Sequence, residues 1–188
     1  MLIPEERFQS GLRNFANHLH RDFSLSIPAN PEDQLKRPIC TLIETFYPDA
    51  VQTRTETPVE GLGARPDIGV ILQSLLCGHI ELKAPGKGAN TSRFTGTDRV
   101  QWKKFRALPN LMYTDGSEWA LYRNGERVGH LLRFSGDIFT EGQEAVSEND
   151  ALRLYELLTN FLTWQPIVPD RPRALAEMLA LWPTVFSA

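Results

Sequence analysis

The chain has 188 residues, of which 41% are hydrophobic and 23% are charged, values typical of a single globular domain. The first residues are charged and no apolar run approaches the ~20 residues that span a bilayer, so we expect a cytoplasmic protein without a signal peptide or membrane segment. The net charge of −3 excludes a surface that is basic throughout, and Cys40 and Cys77 lack CxxC spacing and are predicted to be buried thiols.

Two helices are predicted at the start of the chain. The first covers 5–22, where apolar residues recur at spacings of four, three and four: Phe8, Leu12, Phe15 and Leu19. The second begins at Asn30, which is typical of an N-cap, with Pro31 at the first helical position. It runs to about Phe46, and Pro38 is expected to kink it or to split it in two.

The hydrophobic period then changes to two, which predicts strands over 51–57, 65–72 and 78–83. A Gly- and Pro-rich loop follows, and Thr97 is expected to cap a helix over 98–108. Three further strands are predicted in "NLMYTDG", "EWALYRNG" and "RVGHLLRF", joined by the hairpin turns "DGS" and "NGE", before a last helix over 150–164.

This order of elements predicts an α+β or α/β domain, with a central β-sheet flanked by helices. We expect the domain to occupy residues 1–165. Residues 166–188 are expected to form a proline-broken linker and the start of a following helical region.

Charge is unevenly distributed along the chain. Between positions 83 and 106, one acid, Asp98, stands against seven basic residues: Lys83, Lys87, Arg93, Arg99, Lys103, Lys104 and Arg106. Between 137 and 156, six acidic residues stand against Arg153 alone. A basic segment on a mildly acidic protein indicates either a local contact with a polyanion or a solvated face, and charge alone does not separate the two.

The strand "HIELK" places charged residues where a buried strand would carry Val or Ile. Because side chains alternate along a strand, His79, Glu81 and Lys83 share one face, while Ile80 and Leu82 share the other. The apolar pair is expected to anchor the strand in the core.

A hairpin with its turn near Ser74 would place Asp67 directly opposite Glu81, with Cβ atoms roughly 5 Å apart. Two carboxylates at that distance repel each other unless something neutralises them. A divalent cation bound through oxygen ligands would do so, and Lys83 lies on the same face as a further positive charge.

The second helix offers a third acid. Its apolar stripe consists of Leu35, Ile39, Leu42, Ile43 and Phe46. Glu32 lies close to this stripe and is expected to point toward the sheet, or else to be placed only by the helix dipole. Glu44 is expected to face water, and Glu56 and Glu60 are alternative third acids.

The short basic helix carries a further polar group that is predicted to face the sheet. Gln101, Phe105 and Leu108 fall on one helical face. A glutamine beside a charged site can position water or contact a phosphate, although one at a partly solvated helix edge would look the same in the sequence.

Pro66-Asp67, thirteen intervening residues and then Glu81-x-Lys83 resemble the motif of the PD-(D/E)xK nuclease superfamily. The wider text "GARPDIGV…GHIELKAPGKGAN…DRVQWKKFRALPNLMYTDGSEWALYRNGERVG" is similar to the N-terminal nuclease domain of restriction–modification polypeptides with a fused adenine DNA methyltransferase. The resemblance covers roughly residues 30–165. It implies a restriction-endonuclease-like core with a mixed sheet, and a Mg²⁺-dependent DNA endonuclease in which Mn²⁺ substitutes.

The resemblance also implies roles for individual residues. Asp67, Glu81 and the backbone carbonyl of Leu82 would bind the metal, and Lys83 would orient the attacking water. Glu32 would correspond to the helical acid of this superfamily. Gln101 would correspond to the glutamine of a Gln-x-x-x-Tyr signature, from which this chain departs because Phe105 replaces the tyrosine.

Double-stranded DNA is the partner that this resemblance implies. The expected phosphate contacts are Lys87, Arg93, Arg99, Lys103 and Lys104. Associated methyltransferase and specificity regions, a transient dimer for double-strand cleavage and a role in phage defence are further expectations. The alternatives are an inactive nuclease-fold module that binds DNA or a partner protein, and a small-molecule hydrolase.

Overall fold

The structure is a computed structural model that describes residues 5–25, 30–56, 58–59 and 63–164. The described part contains five α-helices: α1 (Glu5–Ser24), α2 (Pro31–Thr45), α3 (Gly96–Phe105), α4 (Ile138–Glu141) and α5 (Glu148–Leu162). It also contains six strands: β1 (Val51–Thr55), β2 (Ile68–Leu72), β3 (Leu75–Leu82), β4 (Leu111–Thr114), β5 (Glu118–Arg123) and β6 (Glu126–Arg133). The expected linker region at 166–188 lies outside the described residues, as does Glu60.

The strands of the described residues form one six-stranded sheet in the order β1-β2-β3-β4-β5-β6. Strands β3 and β4 pair in parallel, because α3 carries the chain across between them, and the other neighbouring pairs are antiparallel. The predicted α+β class with a mixed sheet and flanking helices is confirmed, and the architecture is consistent with a restriction-endonuclease-like core.

The β2–β3 hairpin determines which residues meet at the edge where β2 begins. Its two-residue turn has positive φ at Gln73 (49°) and Ser74 (68°), as turns that match strand twist require. Beyond a bulge after Val70, Ile68 lies opposite Ile80. This is the register that the sequence predicted. Asp67 and Glu81, each one residue beyond this pair, are therefore neighbours.

The sheet buries a different cluster on each face. The larger core packs against α1, α2 and α5, and it includes the strand residues Ile80 and Leu82 as predicted. The smaller cluster, here called the aromatic cluster, contains the aromatic residues Phe94, Phe105, Tyr113 and Tyr122. Glu81 and Lys83 point away from Ile80 and Leu82 along the strand, so they emerge beside the aromatic cluster.

Helix α2 begins as predicted, because the Asn30 side chain accepts a hydrogen bond from the backbone N–H of Glu32. Pro38 does not split the helix, and its buried ring lies within one continuous element. The prediction that Glu44 faces water was wrong. Its Oε1 accepts bonds from the Thr53 N–H at 3.0 Å and the Thr53 hydroxyl at 2.6 Å, which ties α2 to β1.

Several element boundaries differ from the predictions. Helix α3 begins at Gly96 with Thr95 at its N-cap, two residues before the predicted cap at Thr97. Strand β2 starts only at Ile68, since Pro66 has no N–H to donate to a ladder. The helical turn α4, capped by the Asp137 carboxylate, was not predicted at all, because four residues are too few to show a helical period.

Both cysteines are free thiols; Cys77 is buried and Cys40 is partly buried. Within the described ranges, no helix combines the length and apolar character needed to cross a membrane.

Candidate active site

Asp67 and Glu81 lie side by side, and the carboxylate of each accepts a hydrogen bond from a backbone N–H at or next to the other residue. The Glu81 Oε2 accepts a hydrogen bond from the Asp67 N–H at 3.3 Å, and the Asp67 Oδ2 accepts one from the Leu82 N–H at 2.9 Å. Asp67 is held on its other side because its carbonyl accepts from the Glu56 N–H at 2.7 Å. The backbone therefore fixes both carboxylates next to each other at the start of β2.

The charge of Glu81 is poorly compensated. The residue is 3% exposed. Burial, and to a smaller extent the neighbouring Asp67 carboxylate, raise the pKa of Glu81 to about 8, while Lys83 opposes the shift only in part. A buried carboxylate that lacks compensating charge is stabilised by an additional cation. The available ligand atoms are carboxylate oxygens, which Mg²⁺ prefers. The pair therefore fits a metal site of two carboxylates completed by a backbone carbonyl and water.

Lys83 is buried, and three side-chain oxygens surround its ammonium group. It donates to Gln101 Oε1 at 2.6 Å and to Glu81 Oε1 at 3.2 Å, and Asp98 Oδ1 lies 3.3 Å from it. The ammonium also lies 5.8 Å from the centre of the Tyr113 ring. These contacts hold the Lys83 side chain next to the paired carboxylates.

Helix α3 carries two of these contacts to the sheet. Phe105 at its end is fully buried in the aromatic cluster, and this anchor turns Gln101, one helical turn earlier, toward Lys83. The structure thus brings Gln101 to the charged site, as the helical periodicity predicted. Asp98 reaches the same lysine from the first turn, although the sequence marked it only as the single acid of the basic segment.

Among the described residues, no third acid joins Asp67 and Glu81. In the ranges that the structure describes, no group of three or more His, Cys, Asp or Glu side chains lies close enough together to hold a metal ion. Glu32 points toward the sheet as predicted, but its Oε1 accepts a bond from the Ala84 N–H at 3.0 Å, just past Lys83. Glu56 is 65% exposed and lies near Lys36 instead.

Lys36 is a cation beside the paired acids that the sequence did not reveal. Its ammonium lies 3.7 Å from Asp67 Oδ1, 3.7 Å from Glu56 Oε1 and 2.9 Å from Asp33 Oδ1. Its spacing from Asp33 is typical of a surface helix pair, so nothing in the sequence distinguished it. Lys36 therefore partly compensates the negative charge of Asp67, whereas the charge of Glu81 is compensated less.

The glycine-rich loop after β3 is shaped by two buried acids from the β4–β5 turn. Asp115 Oδ2 accepts from the N–H groups of Gly86 (3.0 Å) and Gly88 (2.8 Å), and Glu118 Oε1 accepts from the Ala89 N–H at 2.9 Å. A Cβ on Gly88 would lie 2.6 Å from a Glu118 oxygen, so this position has no room for a side chain. Sequence reasoning missed both acids, and the "DG" turn was the only sign of Asp115.

The five predicted phosphate-contacting residues are all exposed, and they lie on this loop, the 3₁₀ turn that follows it and α3: Lys87, Arg93, Arg99, Lys103 and Lys104. Lys87 pairs with Asp98 at 3.1 Å, and Arg93 lies 3.9 Å from Glu118. Beside the loop lies an open cleft of about 770 Å³, and its lining combines three basic residues, Lys87, Arg93 and Arg133, with the acids Asp115, Glu118, Asp137 and Glu141. A basic, solvent-facing surface therefore adjoins the buried acids.

No family model matches this chain, and the search of curated proteins found no match. Among solved structures, the chain is similar to the cryo-EM structure of a DrdV–DNA complex, with a TM-score of 0.57 and 19% sequence identity over 84% of this chain. The match covers 14% of the DrdV chain, so the likeness concerns a small part of that protein. At this identity the similarity shows the fold alone.

Proposed function

We propose that this protein is a Mg²⁺-dependent endonuclease that hydrolyses phosphodiester bonds in double-stranded DNA. One observation carries the proposal: two neighbouring carboxylates, one of them buried with a raised pKa, share a site with a buried lysine and open toward an exposed basic segment. Perturbed pKa values beside a specific charged partner are typical of catalytic sites. The solved structure with the similar fold contains DNA, which supports the choice of substrate.

Asp67, Glu81 and the carbonyl of Leu82 would hold the metal. When bound, Mg²⁺ supplies Lewis-acid stabilisation of the charge that develops on the phosphate. Lys83 would donate to the attacking water and to a phosphate oxygen, an interaction that strengthens as charge accumulates in the transition state. Gln101 orients the lysine through the short 2.6 Å bond.

A role in a restriction–modification or phage-defence system is part of this proposal. The protein would supply cleavage, while methyltransferase and specificity regions would act with it. Base recognition is not assigned to this chain, because the exposed cations are suited to phosphate oxygens, which carry no sequence information.

Nicking of supercoiled plasmid tests the proposal. Wild type should nick in Mg²⁺ or Mn²⁺ and stop in EDTA. Lys83→Gln, which preserves side-chain bulk, should reduce nicking at saturating Mn²⁺ on the order of 10²–10³-fold, because a group that stabilises the transition state is lost. Lys83→Arg should recover little, since a planar guanidinium does not replace a compact ammonium.

Lys103→Ala is the matched control, because it removes a lysine from the exposed side of α3. It should weaken duplex binding about equally for all sequences and reduce the salt dependence by about one unit of slope, while nicking at saturating DNA stays intact. Wild-type nicking that persists in EDTA, or a wild-type rate from Lys83→Gln at saturating Mn²⁺, would contradict the proposal.

A further inference from the structure

The ammonium of Lys83 is closely surrounded by oxygen atoms. It donates hydrogen bonds to Gln101 and Glu81, and within the described part of the chain the Asp98 carboxylate forms an ion pair with it at 3.3 Å. An ammonium group has three N–H donors, so a water or a phosphate oxygen that accepts from the third has to take the place of Asp98.

Asp98 is the acceptor that is free to leave. Glu81 is 3% exposed and is tied to the Asp67 N–H, and Gln101 makes the shortest contact. Asp98 makes the longest of the three contacts, and its side chain is 21% exposed. It therefore lies on the side of Lys83 from which a ligand would approach.

The Asp98 carboxylate bridges two lysines, one with each oxygen. Oδ1 lies 3.3 Å from Lys83 Nζ, and Oδ2 lies 3.1 Å from Lys87 Nζ. Lys87 is placed by its backbone, because Asp115 binds the N–H groups of the glycines on either side of it. An anion with two oxygens between two positioned ammonium groups has the charge and geometry of a phosphodiester.

We propose that Asp98 is an internal phosphate mimic, which occupies the place of a backbone phosphate between Lys83 and Lys87 and competes with DNA for both lysines. This inference rests on the proposed function and identifies the residue that regulates access to its catalytic lysine. Asp98 lies in the first turn of α3, where the Thr95 side chain makes no capping hydrogen bond. After displacement from the lysines, the negative charge of the Asp98 carboxylate would therefore still be stabilised by the positive end of the helix dipole.

Binding to a short fluorescent DNA duplex in EDTA tests the inference without any cleavage step. Asp98→Asn keeps the side-chain shape and removes the charge, so it should bind the duplex about tenfold more tightly, with a steeper salt dependence. Glu126→Gln is the matched control, because it removes one negative charge from an exposed position on β6. It should change the affinity by less than about twofold.

A double-mutant cycle with Lys87→Ala identifies the mechanism. If Asp98 acts by occupying the two lysines, the gain from Asp98→Asn should shrink clearly in the Lys87→Ala background. Equal gains in both backgrounds would mean that only net charge matters, and would overturn the inference. The same conclusion would follow from unchanged or weaker binding by Asp98→Asn, from an equal gain in Glu126→Gln, or from no binding by any variant.

The outcomes separate this inference from the proposed function. Metal-dependent nicking by wild type without tighter binding by Asp98→Asn would retain the nuclease and remove the phosphate mimic. Tighter binding by Asp98→Asn without nicking by wild type would retain the phosphate site and remove the cleavage.

Discussion

Glu81 and Asp150 are equally buried carboxylates in different regions of the molecule, and their electrostatic states are opposite. Each is 3% exposed. Burial and the neighbouring Asp67 raise the pKa of Glu81 to about 8. Burial also acts to raise the pKa of Asp150, but hydrogen bonds from Ser135 and Ser147 outweigh it and hold that pKa below its ordinary value.

Although the two residues are equally inaccessible to solvent, Glu81 has more protein packed around it, and the donors that the chain supplies to the two carboxylates also differ. Asp150 accepts from the backbone N–H and the hydroxyl of both Ser135 and Ser147, completing a capping box at the start of α5. Glu81 receives one backbone N–H and a lysine that it shares with Asp98 and Gln101. Burial alone therefore does not mark a functional carboxylate. A buried carboxylate that lies beside a like charge and lacks compensating donors is the better candidate, because the protein holds it at a cost in stability.

The largest expected effect is on activity at Glu81. Glu81→Gln should reduce metal-dependent nicking by about 10³-fold or more, because a charged metal ligand is lost. The free energy of unfolding in EDTA should not fall at neutral pH, because glutamine has nearly the shape of the carboxyl group and needs no proton to stay neutral in the buried site. Nicking and urea unfolding measured on one preparation check both parts. A large loss of stability with retained nicking would reverse the interpretation of Glu81.

Asp150 should show the converse behaviour. Asp150→Ala removes the acceptor for four donors and should lower the free energy of unfolding by about 2–3 kcal/mol. The nicking rate per folded molecule should not change. Glu148→Ala, an exposed acid in the same helical turn, is the control and should cost less than about 0.5 kcal/mol. If Asp150→Ala abolished nicking in a folded protein, the two carboxylates would not differ as proposed.

Sequence reasoning located the paired acids because their placement depends on local patterns. Alternation along "HIELK" and the tight turn at Gln73 and Ser74 fix the register, and a helical period of 3.6 directs Gln101 toward the sheet. These features need only neighbouring residues.

The remaining contacts join residues far apart in the sequence. Asp98 reaches Lys83 only because the aromatic cluster anchors α3 against the sheet. Asp115 binds the glycine-rich loop only because β3 and β4 pair in parallel. No local period encodes either contact, so the sequence presented Asp98 as a lone acid and Asp115 as part of a turn.

Per pH unit, the smallest expected effect is the pH dependence of stability, and here the two carboxylates should act in opposite directions. The folded pKa of Glu81 is raised from 4.5 to about 8, so between these values the folded protein retains a proton that the unfolded chain has lost. Its contribution to stability in EDTA should therefore fall as pH rises through this window, by at most about 1.4 kcal/mol per pH unit. Asp150 has a lowered pKa, so its contribution is present above 3.8 and is lost as pH falls below that value.

Urea unfolding in EDTA between about pH 5 and pH 8 measures this difference. Other groups titrate in both proteins, so the comparison is between wild type and Glu81→Gln. The variant should gain stability relative to wild type as pH rises, because glutamine carries no proton to lose. Asp150→Asn should remain parallel to wild type over the same range, since Asp150 is ionised throughout it. Parallel curves for wild type and Glu81→Gln would mean that Glu81 carries its charge without penalty, and the contrast between the two carboxylates would then rest on their hydrogen bonds alone.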